Sequence, residues 1–332
     1  FRKMKIVVIL GPTASGKSDL AVKLAKKLAL RRAEGFKGVE IISADSRQVY
    51  KGLDIGSGKI TKREMMGIPH HLLDVASPKR KFTVSQFQRL ALCKIKEIQK
   101  RGKTPFLVGG TGFYIQSVVD GIKIPDVKPN FKLRRKLGKK SAEELFLMLM
   151  HLDPRRARGV DSKNPRRLIR AIEIVKSTGK PVPQIPNFYN FTEAGNLWEN
   201  QKIFSHSREC ENDILQIGIK KSPAELKKAI RKRLLKRIKG IITEVKKLTS
   251  PSLRGAPKQS HLSFKRLEEL GLEYRYVAQY AQGKLSFQET LDNIQKESEH
   301  FAKRQLTGFK RAKRIHWVRS KEEAERLTEE FT

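Results

Sequence analysis

In the first third of the chain, short apolar runs alternate with longer segments in which apolar residues recur at helical spacing. A run of β-branched and other apolar residues over Lys5 to Leu10 predicts a buried strand, and leucines four residues apart between Ser18 and Leu30 predict a helix with one apolar face. The pattern returns with the apolar pair Ile41-Ile42, a helical period over Ser85 to Lys100 and a strand over Pro105 to Val108. Strands that alternate with helices are typical of a parallel α/β sheet.

The character of the sequence changes at Ile124. Prolines interrupt the pattern from there on, and no further buried strand is evident before Ile214. We therefore predict an inserted, mainly helical region. The interrupting prolines are Pro125, Pro129, Pro154, Pro165, Pro181, Pro183 and Pro186.

A long amphipathic helix is predicted to follow Ser222-Pro223. Its apolar face is formed by Leu226, Ile230, Leu234, Ile238, Ile242 and Val245. Basic residues cover the other faces, namely Lys227, Lys228, Arg231, Lys232, Arg233, Lys236, Arg237 and Lys239. A loop rich in Pro, Ser and Lys is expected over 250–260. A last helix begins near Ser286, where Glu289 completes a capping box, and continues toward Phe301.

The net charge indicates a polyanionic partner. The chain has 332 residues, of which 71 are Lys or Arg and 34 are Asp or Glu, so its formal net charge is +37 and its pI is about 10.3. A small acidic metabolite does not require so large an excess, whereas a nucleic acid attracts it. A hydrophobic content of 38% with 23 glycines excludes disorder throughout, and the length favours about two domains.

The cysteines and the length of the apolar runs limit the kinds of site and the cellular locations that the sequence allows. Cys93 and Cys210 share no C-x-x-C spacing, which excludes a disulfide framework and a cysteine-rich zinc site. The apolar run Ile6 to Leu10 is too short for a signal peptide or a membrane span. We expect an intracellular protein with no membrane partner, located in the cytoplasm, or in an organelle interior if a targeting segment before Phe1 has been removed.

A phosphate-loop motif, G-x-x-x-x-G-K-[ST], occupies residues 11–18. It follows a predicted strand and opens a predicted helix, which is the context that this motif requires. Backbone N–H groups and the helix N-terminus would face phosphate oxygens, Lys17 adds positive charge, and Ser18 can reach a phosphate-bound Mg²⁺. A glycine turn with an incidental lysine is the weaker interpretation. The loop consists of Gly11, Pro12, Thr13, Ala14, Ser15, Gly16, Lys17 and Ser18.

The second glycine-rich turn departs from the pattern of nucleotide-hydrolysing proteins, which usually carry a magnesium-holding Asp at the end of an apolar strand. Here the strand at 106–108 ends in Gly109-Gly110-Thr111-Gly112. The departure favours a diphosphate that leaves over a γ-phosphate that is hydrolysed. Thr111 lies either beside the phosphate or incoming group, or in a plain turn, and spacing alone does not separate these two interpretations.

Two polar segments after the second predicted strand contain candidate functional groups. Asp45 lies within Ser43 to Gln48, and an α/β sheet places its substrate crevice at the carboxyl ends of its strands, so Asp45 is a candidate general base. A helix N-cap is equally compatible with its position. His70 and His71 are adjacent and tend to point apart, which favours a turn or core pair over a metal site.

Two arginines in the predicted insertion are placed to contact a nucleic acid. Arg166 and Arg170 follow Asn164-Pro165 and are four residues apart, hence on one helical face. Their guanidinium groups could hold a phosphate backbone or stack on a base. A solvated helix face is the alternative, but the net charge and the basic helix after Ser222-Pro223 favour a nucleic acid.

Taken in their order along the chain, these motifs resemble the tRNA dimethylallyltransferase family, also called the tRNA isopentenyltransferase or IPP transferase family. The resemblance covers most of the chain and is therefore specific. Gly308 departs from it, since the family usually has Trp there. The matching segments are 11–18, Ile42 to Tyr50, Gly52 to Gly56, Gly67 to Leu72, Val108 to Tyr114, Asn164 to Glu173 and Ala302 to Thr307.

The resemblance implies a fold, a reaction and partners. The fold is a P-loop NTPase-like parallel sheet core formed by residues 1–123 and 214–332, with a mainly helical insertion at 124–213 that contacts the tRNA anticodon arm. The family transfers a dimethylallyl group from dimethylallyl diphosphate to N6 of the adenosine 3′ of the anticodon, tRNA position 37. We therefore expect tRNA and dimethylallyl diphosphate as substrates, Mg²⁺ bound at Ser18 through the diphosphate, and a monomer.

The resemblance also assigns roles to residues. The phosphate loop would bind the diphosphate, Asp45 would be the base at N6, and Thr111 would lie beside the reacting centre. Contacts to tRNA would come from Asp45, Ser46, Arg47, Gln48, Thr111, Arg166, Arg167, Leu168, Ile169 and Arg170.

Alternative functions also use a phosphate loop, and a small-molecule kinase or an adenylate isopentenyltransferase would also keep the acidic residue after the second strand. An adenylate isopentenyltransferase that makes free cytokinin explains neither the excess positive charge nor the insertion. An RNA-binding P-loop NTPase without transfer chemistry would need the acidic strand end that this sequence lacks.

Overall fold

The computed structural model describes residues 5–183, 214–250 and 262–332. The chain divides into two compact units, one formed by Phe1–Val119 with Gln201–Thr332 and the other by Asp120–Asn200. Within the described ranges, no helix combines the length and the apolar character needed to cross a membrane.

A fully parallel sheet forms the centre of the first unit. Its strands are β1 (Ile6–Leu10), β2 (Val39–Ser43), β3 (His70–His71), β4 (Thr104–Gly109), β5 (Ile214–Ile219) and β6 (Ile315–Val318). They pair in the order β3-β2-β4-β1-β5-β6. The predicted parallel α/β sheet is confirmed, and the order places β4 between β1 and β2.

Helices cover both faces of this sheet. The first four are α1 (Lys17–Ala29), α2 (Lys62–Met65), α3 (Val84–Lys100) and α4 (Gly112–Val119). Alternate residues of β1 pack into separate apolar clusters, with Val8 on the side of Phe87 from α3 and Ile9 on the side of Leu24 from α1. This two-sided burial explains why β1 reads as a continuous apolar run. The predicted helices over Ser18 to Leu30 and Ser85 to Lys100 are confirmed to within one residue at each end.

The described part of the second unit is helical. It contains α5 (Phe131–Leu137), α6 (Ala142–Leu152), α7 (Pro154–Gly159) and α8 (Pro165–Thr178). Leu145 and Leu149 of α6 pack with Leu168 and Ile172 of α8 to form its apolar core. Proline does not break α7 or α8, because in each it occupies the first turn, where no intrahelical N–H is needed.

The remaining helices return to the first unit. They are α9 (Pro223–Thr249), α10 (Phe264–Leu270), α11 (Leu272–Ala281), α12 (Phe287–Phe309) and α13 (Lys321–Phe331). The capping box of Ser286 and Glu289 is confirmed. The expectation that α12 is the last helix is wrong, because β6 and α13 follow it. The loop expected over 250–260 falls almost entirely on residues that the structure does not describe.

The apolar face of α9 differs from the prediction at one position. Ile241 is fully buried and Ile242 is only partly buried, whereas the sequence pattern placed Ile242 on the apolar face. A four-residue step exceeds the helical turn of 3.6 residues, so a row spaced by four drifts around the helix and a step of three restores the buried face.

Candidate active site

Three loops meet at the carboxyl edge of the sheet. They follow β1 (residues 11–16), β2 (residues 44–48) and β4 (residues 110–111), and parallel pairing brings the carboxyl ends of these adjacent strands to the same edge. A cleft between them is lined by Lys17, Ser18, Ser43, Asp45, Gln48 and His70, among others. The predicted phosphate loop and the predicted general base therefore face the same cleft.

The loop after β1 has the backbone of an anion-binding site. Gly16 adopts φ 92°, a left-handed conformation that favours glycine, and it begins α1 without a side-chain cap. The hydroxyl of Ser15 is buried and finds no hydrogen-bond partner among the described residues. A Cβ at Gly11 would lie only 2.9 Å from this hydroxyl, so glycine leaves room for it. Uncapped N–H groups and an unpaired hydroxyl at a helix N-terminus fit a phosphate group.

Lys17 has an ammonium group that burial makes less basic. Its Nζ donates a hydrogen bond to the carbonyl oxygen of Pro12 at 3.3 Å. Desolvation lowers the pKa of Lys17 to about 8; Asp45 opposes this shift and Arg233 adds to it. A buried cation beside a second cation gains most when an anion binds between them.

The sequence pattern did not single out Arg233, which was assigned only to the basic surface of α9. Its Nη1 donates to Oγ1 of Thr13 in the phosphate loop at 3.3 Å, across 220 residues of sequence. The charged side of α9 thus contacts the phosphate loop as well as forming a basic surface. No local pattern distinguishes this arginine from its neighbours on the helix.

Asp45 uses one carboxylate oxygen to hold its own loop. Oδ1 accepts hydrogen bonds from the backbone N–H of Arg47 at 2.8 Å and of Gln48 at 3.4 Å. The residue therefore caps a turn, where the sequence suggested a helix N-cap. No hydrogen bond from another described residue reaches Oδ2, so the second oxygen is left for a ligand in the cleft.

Thr111 lies against the Asp45 loop. Its Oγ1 accepts from the backbone N–H of Ser46 at 3.0 Å, and its own N–H donates to the carbonyl of Ala44 at 3.2 Å. The close approach requires glycine at position 109, where a Cβ would lie 2.1 Å from the Ala44 carbonyl oxygen. The structure thus places Thr111 against the loop that carries Asp45, bonded to the residues on either side of it.

Gln305 of α12 joins the two glycine-rich loops. Its Oε1 accepts from the backbone N–H of Thr13 at 2.8 Å, and its Nε2 donates to the carbonyl of Gly110 at 2.7 Å. Gln305 lies in a segment that resembles the family, but the sequence pattern assigned it no role. Its position shows that α12 fixes the separation of the loops after β1 and β4.

Other predicted groups are held by internal contacts. His71 Nε2 lies 2.7 Å from Glu40, while His70 Nδ1 lies 2.8 Å from the carbonyl of Ile68. Burial lowers the pKa of His70, so the imidazole on the cleft wall is neutral near pH 7. In the part of the chain that the structure describes, no cluster of three His, Cys, Asp or Glu side chains is arranged to bind a metal.

The arginine segment predicted to touch tRNA lies on α8 in the second unit. Arg166 and Arg167 are exposed. Leu168 is fully buried in the core, so its side chain is not available for an RNA contact. The guanidinium of Arg170 pairs with the buried Glu173 at 2.5 Å and donates to the carbonyl of Val127 at 3.1 Å. Its arrangement therefore differs from the free guanidinium pair expected from spacing.

Comparisons with known proteins identify a family for this chain. Residues 48–312 match the family model described as IPP transferase. The chain is 38% identical to a tRNA dimethylallyltransferase of Carboxydothermus hydrogenoformans, with 98% of this chain and 96% of the relative covered. The corresponding protein of Anoxybacillus flavithermus is 37% identical, with 94% and 89% covered.

Solved structures give the same result. The crystal structure of the full-length tRNA isopentenylpyrophosphate transferase from Bacillus halodurans is similar with a TM-score of 0.64 at 32% identity, covering 99% of this chain and 97% of that one. A eukaryotic dimethylallyltransferase acting on tRNA shares the fold, with a TM-score of 0.67 at 24% identity and coverage of 92% and 69%.

Proposed function

Because the chain belongs to the IPP transferase family, we propose that it transfers a dimethylallyl group from dimethylallyl diphosphate to N6 of adenosine 37, the nucleotide 3′ of the tRNA anticodon. It is a transferase that modifies tRNA, as the names of its relatives indicate. The observation that carries it is that Lys17 and Asp45 line one cleft, with the uncapped phosphate loop on one wall and Thr111 bonded to the loop of Asp45.

The phosphate loop fits the leaving diphosphate. The uncapped N-terminus of α1, the Ser15 hydroxyl and Lys17 would offer donors to an anion, and Arg233 contacts the loop through Thr13. As the bond between C1 of the dimethylallyl group and the diphosphate oxygen breaks, negative charge grows on that oxygen. Preorganised donors in a desolvated cleft stabilise such charge better than water does.

Asp45 fits the role of the base. N6 of the adenine forms the new bond to C1 and must lose one proton, and Oδ2 of Asp45 accepts it while Oδ1 remains bonded to the turn. An exocyclic amine is a weak nucleophile, so a positioned base should accelerate the step by about 10²–10⁴-fold. Thr111 acts through Ser46, because its hydroxyl fixes the loop that carries Asp45.

The donor set suits a magnesium ion held mainly by the diphosphate. Ser18 lines the cleft with Asp45, and the described residues offer no cluster of three His, Cys, Asp or Glu side chains that would bind a metal alone. Ser18 would contact a Mg²⁺ ion that the diphosphate itself binds, and the ion would neutralise negative charge on the leaving group.

The tRNA would bind to the basic surfaces. The net charge of +37, the exposed lysines of α9 and the exposed Arg166 and Arg167 of the helical unit support contacts to the anticodon arm. The target adenine must leave its stack to enter a cleft, which costs a few kcal/mol that such phosphate contacts can offset.

One incubation tests the proposal. Radiolabelled dimethylallyl diphosphate is supplied with tRNA, with AMP, or with neither, and ATP hydrolysis is measured in parallel. Label on tRNA alone is expected, and a transcript with guanosine in place of adenosine 37 should remain unlabelled. Label on AMP would instead indicate an adenylate isopentenyltransferase, and hydrolysis without label would indicate an RNA-binding NTPase.

A further inference from the structure

A carboxylate on α9 holds the loop over residues 54–58, which lies between β2 and α2 in the chain. Oε1 of Glu244 accepts hydrogen bonds from the backbone N–H groups of Asp54 at 2.6 Å and of Ile55 at 2.8 Å. Its Oε2 accepts from the backbone N–H of Gly56 at 2.8 Å. Consecutive N–H groups around one anion form charge-assisted bonds, which are stronger than neutral ones.

Tyr274 of α11 completes this anchor. Its hydroxyl donates to Oε2 of Glu244 at 2.8 Å and accepts from the backbone N–H of Ser57 at 3.2 Å. Burial and the neighbouring carboxylate raise the pKa of Tyr274, so the hydroxyl keeps the proton that it donates. A Cβ at Gly56 would lie 2.4 Å from the tyrosine ring, so glycine allows the close approach. Side chains of α9 and α11 therefore bind four successive N–H groups of the loop.

The anchored loop sets the direction of the Gln48 amide. The carbonyl of Gly58 accepts from Nε2 of Gln48 at 3.1 Å, and Oε1 of Gln48 accepts from the Ser43 hydroxyl at 3.1 Å. A carbonyl can only accept, so the nitrogen of the amide must face Gly58 and its oxygen must face Ser43. One amide N–H and one lone pair of the oxygen keep no partner among the described residues, on a side chain that lines the cleft.

A fixed donor beside a fixed acceptor is complementary to the edge of a nucleobase. A glutamine amide can bond adenine with both groups at once, its oxygen accepting from the exocyclic N6 and its nitrogen donating to a ring nitrogen. If the carbonyl of Gly58 moved away, the amide could turn over and exchange its donor and its acceptor. The position of the loop therefore decides which groups the cleft presents to a base.

A second tie holds the loop independently of Glu244. Nζ of Lys59 donates to the carbonyl of Tyr50 at 2.9 Å and pairs with the carboxylates of Asp54 and Asp74 at 2.5 and 2.6 Å. Replacement of Glu244 should thus loosen the loop without detaching it from the core.

We propose that Glu244 is a positioning residue for tRNA: by holding the loop over 54–58, it keeps the Gln48 amide in the orientation that contacts the target adenine. The inference rests on the proposed function for the identity of the base. Glu244 contacts the loop and Tyr274, whereas the bonds that hold Asp45 come from its own turn. Its effect is therefore expected on the binding of the base and not on the transfer step.

The test measures two RNAs on the full chain. Dissociation constants are determined by filter binding at fixed salt, without dimethylallyl diphosphate, for an anticodon stem-loop with adenosine 37 and for the same RNA without a base at that position. The ratio of the abasic to the intact constant reports contacts to the base, because phosphate contacts and the folded fraction affect both RNAs equally. The variants are Glu244→Gln, Glu244→Asp, Gln48→Ala and the double variant Glu244→Gln with Gln48→Ala. Glu269→Gln is the control, since Glu269 is exposed on α10 and pairs with Arg266 of the same helix.

Glu244→Gln should lower the ratio by about 3- to 10-fold, because the new amide nitrogen opposes a donor of the anchor. Gln48→Ala should lower it at least as far, and the double variant no further than Gln48→Ala, since both changes remove the same contact. Glu244→Asp keeps the acceptors and should recover part of the ratio. In the transfer assay, Glu244→Gln should raise the KM for tRNA and change kcat by less than about twofold.

Three results would overturn the inference. They are an unchanged ratio in Glu244→Gln, an equal loss in Glu269→Gln, and losses that add in the double variant, which would assign the effect of Glu244 to its charge on Arg237. A wild-type ratio near one would also overturn it, because the base would then make no contact. A wild type that prefers the intact RNA but transfers no dimethylallyl group would remove the proposed function and leave this measurement interpretable.

Discussion

Removal of the Gln305 side chain should loosen the cleft and slow transfer. Gln305→Ala deletes the bonds to Thr13 and Gly110, at 2.8 and 2.7 Å, that hold the two glycine-rich loops at a fixed separation. Each such bond contributes about 0.5–1.5 kcal/mol. The two together therefore stabilise the observed separation of the loops by about 1–3 kcal/mol, and the variant loses this stabilisation. Because transfer requires donor and acceptor at near-contact distance, we expect turnover to fall by about 5- to 150-fold. Gln305→Glu keeps the acceptor for Thr13 but opposes a carboxylate to the Gly110 carbonyl, so it should not restore the rate.

The assay is single-turnover transfer of labelled dimethylallyl diphosphate to saturating tRNA, with the melting temperature measured alongside. Gln288→Ala is the matched control, because Gln288 lies on α12 and bonds Asp292 of the same helix at 2.8 Å. The substrate KM values should change by less than about threefold, since the groups that bind each substrate remain. The positioning role of Gln305 would be refuted if Gln305→Ala turned over as fast as the wild type, or if Gln288→Ala lost as much turnover as Gln305→Ala.

Three further predictions concern the charged groups. Asp45→Asn should lower turnover by about 10²–10⁴-fold and change tRNA affinity, measured by filter binding, only a few-fold; equal turnover would remove Asp45 from the mechanism. Pyrophosphate affinity should fall as pH rises through about 8, because Lys17 loses its proton there; Lys17→Arg should abolish this dependence, and its persistence would assign the titration to another group. Lys232→Ala, at an exposed position of α9, should reduce the salt slope of tRNA binding by about one unit; an unchanged slope would place Lys232 off the RNA.

Local sequence pattern predicts the first half of the sheet well. The strands β1 and β4 read as apolar runs and β2 as an apolar pair, whereas α1 and α3 have apolar positions that repeat with the helical period. Parallel pairing then brings the loops that follow the strands to one edge. The pattern therefore places Asp45 and the phosphate loop at the same edge of the sheet, and the strand order seen in the structure brings them to one cleft. The C-terminal elements are harder to predict from the sequence. The buried face of α13 consists of Ala324, Glu325 and Thr328, which do not form an apolar pattern.

The contacts of Arg233 and Gln305 could not be predicted from the sequence. Each contacts the phosphate loop across more than two hundred residues, at separations of 220 and 292 positions. Periodicity places both residues on helices, but it does not say which helix packs against which loop. The predicted free guanidinium of Arg170 was wrong for a local reason. Glu173, three residues later on the same helix, accepts a hydrogen bond from this guanidinium.

Asp45 shows that two interpretations of one residue can be a single arrangement. The sequence presents a helix N-cap and a general base as alternatives of equal weight, and the structure shows a turn cap in place of the helix N-cap. A carboxylate has two oxygens, however, and the structure commits only Oδ1 to the N–H groups of Arg47 and Gln48. These bonds fix the orientation of the carboxylate, so under the proposed function Oδ2 would already be in position for the amine. The capping contacts therefore provide the rigid placement that a base in this cleft requires.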